Sequence, residues 1–321
     1  MVKIKFDVLS VGDGNLDVWM RVPSHASQYA DKERGTGVTG TTYYVGAGGA
    51  AANVAIGSSR LGGRAAFVGA IGDDPSGTQF KNYMRSAGVD LKHLHIMANQ
   101  ATSLACMFET PDGEYEFYVC PGSRNIPSHC LPDEFVKSSK VLFLTGHVLT
   151  ENYVTSQTML TAMDIAQESG VTVAFSPGKY WLNKTREPVV HEAIKRTDIL
   201  LNNSLEAKLI TRRDSVHDAV QQLLEEGVLL AAVTLGDRGC LVASTKEIVE
   251  QPAFPSHAKS AVGAGDAFAS GFLYSYLLKW TLEEIASFAN ATAAIKIRTP
   301  GAVEGFPHAD EVKAFMKEND K

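Results

Sequence analysis

The sequence has few cysteines, no long run of basic residues and no apolar stretch of 18 residues. Its four cysteines, Cys106, Cys120, Cys130 and Cys240, are scattered without metal-type pairing. That argues against a disulfide scaffold and suits a reducing compartment. With 30 basic and 36 acidic residues the net charge is −6, so a surface for nucleic acid is not expected. The missing apolar run argues against a membrane-spanning helix, and residues 1–12 enter a strand pattern rather than a signal-peptide core. These absences lead us to expect a cytoplasmic protein with a small-molecule partner and neither nucleic acid nor membrane. At 321 residues the chain is long enough for a large α/β domain with a deep core.

What the sequence does have is alternation. Short apolar runs at residues 7–12, 66–71, 141–145, 171–175, 198–201 and 229–235 read as strands, with helical patterns between most of them. This rhythm predicts a mostly parallel sheet with helices on both faces. Two segments depart from it. Residues 18–45 and 102–119 are rich in threonine, glycine and aromatics, and the second contains the turn Pro111-Asp112-Gly113-Glu114. They predict a small accessory sheet that either covers a cleft or pairs with another subunit through its edges.

Five motifs carry polar chemistry. Gly263-Ala264-Gly265-Asp266 combines a glycine turn with the start of an apolar helix, whose first amides and positive dipole end suit an anion. Asp266 is there either a helix cap or a general base. After the first strand, Asn15 and Asp17 are candidates for hydrogen bonds to a polyol, or part of an Asx-rich turn. The run Gly46 to Ile56 feeds an alanine-rich helix ending near Leu61, and its spacing is not the dinucleotide fingerprint. Asn53 within that apolar helix must find a partner in the backbone or a ligand. Asn203 and Glu206, three residues apart, are hard oxygen donors suited to magnesium, or a capping pair. Finally, Thr234-Leu235-Gly236-Asp237-Arg238-Gly239 is a turn that either meets phosphate oxygens or simply closes a hairpin.

In order and spacing these motifs resemble the ribokinase-like carbohydrate kinases of the phosphofructokinase-B (PfkB) type, over nearly the whole chain. The resemblance implies a single ribokinase-like domain over residues 1–321. It would be a three-layer α/β/α fold with a mostly parallel central sheet and a small β-sheet lid inserted at about residues 16–46 and 99–124. It implies transfer of the γ-phosphoryl of ATP to a hydroxymethyl group, with Asp266 as base and the amides of Ala264, Gly265 and Asp266, after Gly263, as the anion hole. Asn15, Asp17, Gly48, Gly49 and Asn53 match sugar-binding positions, and Asn203 and Glu206 match the magnesium and phosphate motif, Glu206 acting through water. Thr234, Gly236 and Gly239 match the nucleotide loop, and Asn290 a position flanking adenine. Since an alkoxide need not form early, an unperturbed carboxylate at Asp266 would suffice. A homodimer through the lid is the expected assembly.

The chain differs from the family pattern at three sites, the first of two residues. Ser260 and Ala261 stand where relatives carry Asp-Thr, an aspartate that helps hold a monovalent cation; Lys259 is expected to place an ammonium near that site. Ser176 precedes Pro177 where an aspartate is common. Ala50 follows the paired glycines where ribokinases carry lysine, which favours the fructokinase and ketogluconate-kinase branch. A nucleoside kinase of the same fold is the alternative within the class, and a non-catalytic sugar-binding relic the alternative outside it.

Overall fold

The computed structural model describes residues 2–24, 39–111, 115–149, 153–178 and 187–319. In chain order the strands are β1 (Phe6–Val11), β2 (Asn15–Arg21), β3 (Thr42–Gly48), β4 (Ala65–Val68), β5 (Ala70–Gly72), β6 (His95–Met97), β7 (Leu104–Glu109), β8 (Tyr115–Cys120), β9 (Ser139–Thr145), β10 (Thr172–Ser176), β11 (Ile199–Asn203), β12 (Leu230–Thr234), β13 (Cys240–Ser244) and β14 (Ile248–Gln251). The helices are α1 (Ala50–Arg60), α2 (Pro75–Ser86), α3 (Asp133–Val136), α4 (Tyr153–Glu168), α5 (Glu187–Ile194), α6 (Ser204–Thr211), α7 (Val216–Glu225), α8 (Ala264–Leu277), α9 (Leu282–Lys296) and α10 (Ala309–Asn319).

Successive side chains on a strand point to opposite faces, so a strand covered on both faces must be apolar at nearly every position. On β9, Val141 and Phe143 enter one core with α8 and α9, while Leu142 and Leu144 enter the other with α4 to α7. The same parity divides Ala174 from Val173 and Phe175, and Ile199 and Leu201 from Leu200. The resulting sheet has the order β14-β13-β12-β11-β10-β9-β1-β4. It is parallel from β12 to β4, with β13 and β14 added antiparallel at one edge.

The expected strand over residues 66–71 is two strands. β4 pairs with β1, but after Gly69 the chain leaves the main sheet and β5 pairs with β6. The break falls where a Cβ on Gly69 would lie 2.4 Å from the Phe67 ring and 2.7 Å from the Gly12 carbonyl oxygen. The accessory segments form a four-stranded sheet of order β3-β2-β7-β8, in which β2 and β7 pair in parallel. The turn at 112–114 and the first accessory segment from 25 to 38 lie outside the described residues. All four cysteines are free thiols. The fold nonetheless brings Cys130 together with His95 and His129, their ligand atoms within 4.8 Å of one another, a grouping that spacing alone did not show.

Phe272 of α8 is fully buried against the sheet, in the core that also holds Phe143 and Phe268. Phe272→Ala is expected to cost about 3–5 kcal/mol. The check is a lower urea midpoint with an unchanged slope.

Candidate active site

The site begins at the carboxyl end of β1. Asp13 accepts hydrogen bonds from the Ala50 and Ala51 amides at 2.9 and 3.3 Å, and so satisfies the N-terminus of α1, which has no other side-chain cap. It also accepts from Thr145 Oγ1 at 2.7 Å and lies 3.5 Å from His147 Nδ1. Burial pushes its carboxyl upward, but His147 and these donors outweigh burial and hold it well below the usual carboxylate range. His147 is raised in turn, because Asp13 outweighs the cost of burying the imidazolium. Neither residue was singled out in the sequence. Asp13 could have been, as a carboxylate one residue beyond the glycine that ends the first strand.

Asn15 and Asp17 open β2, and the Asn15 amide donates to the Asp17 carboxylate. Asn15 sits opposite Gly48 in register, and a Cβ on Gly48 would lie 2.0 Å from Asp17 Oδ1. Gly48 therefore makes room for the Asp17 carboxylate. Burial, then the charges of Asp13, Glu304 and Asp266, push Asp17 well above the usual range. Gly49 follows at the cap of α1 and lines the cleft with Asn15 and Asp17.

One turn into α1, Asn53 Nδ2 donates to Asp266 Oδ2 at 2.7 Å. Its buried Oδ1 has no partner among the described residues. Gly263 caps α8 with φ 76°, a left-handed conformation that glycine adopts without strain, and no side chain caps the helix. The Ala264 amide turns back to the Ala261 carbonyl at 3.2 Å, so of the expected anion hole it is Gly265 and Asp266 that line the cleft. Asp266 opens to the cleft on one side and is enclosed on the others. Its pKa is pushed up to about 6, chiefly by burial and further by the Asp13 charge, while the Asn53 hydrogen bond, His147 and Lys296 pull it down. An unperturbed carboxylate would suffice for late proton acceptance; this one is raised.

Across the cleft stand Asn202, Asn203, Glu206 and Thr234, at the ends of β11 and β12 and the start of α6. Asn203 Oδ1 accepts from the Glu206 amide at 2.9 Å and Glu206 Oε2 from the Asn203 amide at 3.0 Å, a reciprocal capping box. The capping alternative is therefore realised, with both residues still facing the cleft. Asn202 was missed. Both atoms of its amide are buried without a partner among the described residues, the mark of a group that waits for a ligand. Gly236 and Gly239 bound a single 3-10 turn beyond Thr234 and are not among the residues lining the cleft. Nor is Asn290, whose amide donates to the Pro252 carbonyl at 2.7 Å and ties the chain after β14 to α9. Lys259 is exposed, while Ser260 is buried and accepts the Val262 amide at 3.3 Å.

The cleft measures about 780 Å³, and Ala105, Met107, Phe117 and Val119 of the accessory sheet form one wall, so that sheet is a lid over the strand ends. A parallel sheet, a lid, a carboxylate at a glycine-led helix start and facing oxygen donors define a ribokinase-type phosphotransferase. The chain belongs to the pfkB family of carbohydrate kinases, whose model matches residues 5–309. It is similar to fructokinase-1 of Oryza sativa subsp. japonica, 33% identical over 84% of this chain and 88% of that one. It is also similar to the ATP-dependent ribose-1-phosphate kinase of Halopiger xanaduensis, 30% identical over 97% of this chain and 98% of that one. Among solved structures, a candidate ribokinase II of E. coli in complex with ATP and Mg2+ superposes with a TM-score of 0.85. It is 19% identical and covers 98% of this chain and 100% of that chain. The protein is a carbohydrate kinase of the ATP-dependent phosphotransfer class.

If Asp266 is the proton acceptor of the reaction, only its ionised form serves, and kcat/KM should fall about tenfold per pH unit below about 6. The Asn53 hydrogen bond favours the charged form, so in Asn53→Ala the acid limb moves to higher pH. A pH–rate profile checks this, and an unmoved limb would show that the bond does not set the base.

Proposed function

We propose that this enzyme moves the γ-phosphoryl of ATP to a hydroxymethyl group of a keto sugar or keto-sugar acid, as a fructokinase or ketogluconate kinase does. The observation that carries this is Asp266, open to the cleft at the N-terminus of α8 and fixed by Asn53 at 2.7 Å. Similarity to plant fructokinases and Ala50 after the paired glycines support the keto-sugar class.

In this reading Asn15, Asp17 and the unpaired Oδ1 of Asn53 bind the sugar hydroxyls, and Gly48 and Gly49 shape that wall. Gly263 sets the turn; the reacting hydroxyl lies against Asp266, which aligns it and takes its proton late. The Gly265 and Asp266 amides, with the positive end of α8, face the charge of the transferred group; Ala264 completes the turn. ATP and magnesium fit the opposite side, where the orphaned Asn202 amide, Asn203, Glu206 and Thr234 present oxygen and amide groups. Glu206 would hold the metal, in part through water, and Gly236 and Gly239 would shape the phosphate turn. When bound, magnesium neutralises charge on the transferred phosphoryl.

The chain is read as one kinase domain with its lid. The free thiols and acidic balance support a cytoplasmic location. Exposed Tyr43 and Tyr44 on β3 and Tyr118 on β8, at the two lid edges, support a homodimer through the lid.

Asp266→Asn should lower kcat by about 10²–10⁴-fold with sugar affinity within a few-fold. The folded-state pKa lies above that of a free carboxylate, so ionisation of Asp266 opposes folding at neutral pH. The variant should therefore fold no less stably. Isothermal titration, thermal melting and an ADP-release screen over keto sugars, keto-sugar acids, pentoses, sugar 1-phosphates and nucleosides test the reading together. Full activity of the variant, or phosphorylation of nucleosides alone, would contradict it.

A further inference from the structure

At the end of α9, Lys296 is fully buried. Its ammonium donates to two backbone carbonyls of the following loop, Gly301 at 2.5 Å and Thr299 at 3.3 Å. The chain before the anion-hole turn is tied to the same place, since the Lys259 and Ser260 amides both donate to the Ile297 carbonyl, at 2.7 and 3.2 Å. The lysine stem lies directly behind that turn: a Cβ on Gly263 would sit 3.1 Å from Lys296 Cε and 2.1 Å from the Ala302 carbonyl oxygen. Glu304 and Asp266 both act on Lys296 electrostatically. Burial pushes its pKa down to about 8 while those two carboxylates oppose the shift, so the ammonium is charged at neutral pH.

A buried ammonium held by carbonyls on the far side of a glycine turn is the arrangement of a bound cation whose ligands are backbone oxygens. The family resemblance implies a monovalent cation beside the anion hole, held with the help of a carboxylate. In this chain Ser260 stands in place of that carboxylate, buried and bonded to its own turn. Two carbonyls behind the hole are already occupied by Lys296. A monovalent cation does not fit these residues. Lys259, the expected source of the charge, is exposed, whereas Lys296 is buried behind the turn.

We propose that Lys296 is a built-in cation: its ammonium organises the 299–302 loop against Gly263, supplies fixed positive charge behind the anion hole, and makes the kinase independent of potassium. The inference rests on Gly263 to Asp266 being the phosphoryl-transfer centre. Lys296 is a positioning residue in it, acting through the turn without touching substrate.

The test compares the enzyme in potassium, sodium and a bulky organic cation, by activity and by thermal melting. Wild-type kcat and melting temperature should be the same in all three. Lys296→Met, close in shape but uncharged, should lose about 10²-fold in kcat with sugar KM little changed. Lys296→Ala combined with Ser260→Asp vacates the carbonyls and restores the carboxylate, and this variant should gain activity and melting temperature from potassium over sodium. Potassium activation of the wild type, a Lys296→Met variant with wild-type kcat, or a folded double variant indifferent to potassium would each overturn the proposal. The wild-type titration decides even if a variant does not fold. An active wild type with an inert Asp266→Asn leaves the phosphoryl-transfer centre standing, so these outcomes bear on Lys296 alone.

Discussion

The cleft depends on one half-buried charge, the carboxylate of Asp13. It satisfies the first amides of α1, is gripped by Thr145 from β9, and is paired with His147 just beyond that strand. A buried carboxylate without such partners would take up a proton. Held ionised, it fixes where α1 starts, and therefore where Asn53 points. Its field also falls on Asp17 and Asp266, and in both it favours the protonated form. At Asp266 burial is the larger upward push, and the Asn53 hydrogen bond, His147 and Lys296 oppose it. In the proposed role of Asp266 as base, burial together with these neighbouring groups gives the carboxylate a pKa nearer the pH at which it would accept a proton.

The same logic explains why two glycines cannot be replaced. Gly48 gives its side-chain volume to the Asp17 carboxylate, and Gly263 gives its own to the Ala302 carbonyl and the Lys296 stem. One lets β3 close on the Asp17 side chain of β2, the other lets the loop after α9 pack behind α8. Both are close-approach positions, and both lie where two segments distant in sequence meet.

Much of this was legible beforehand. The central sheet showed itself as continuous apolar runs because both of its faces are covered, and the lid as threonine- and aromatic-rich insertions. Asp266, Asn53 and the glycine turns were visible because each breaks a local pattern: a charge at an apolar helix start, an amide within alanines, paired glycines before a helix. Asp13, His147, Asn202 and Lys296 were not. Each obeys its local pattern, as a turn aspartate, a loop histidine, a strand-end amide and a lysine in a last helical turn. Only the fold shows that Asn202 and Lys296 are buried and Asp13 and His147 half-buried, and with whom. The division at Gly69 was hidden for the same reason, since the Gly12 carbonyl that crowds it comes from another strand. Lys259 was a reasonable choice by adjacency, but the lysine buried behind the turn lies 37 residues further along, at Lys296.

The central claim is that a carboxylate held near neutrality by these charges is the base for phosphoryl transfer. The most direct measurement is the titration of the Asp266 carboxyl itself by carbon-13 NMR, set beside the pH dependence of single-turnover phosphoryl transfer. The account predicts a midpoint near 6 that coincides with the acid limb of the transfer rate. A carboxyl titrating in the ordinary aspartate range, or a transfer rate whose acid limb ignores it, would contradict the account.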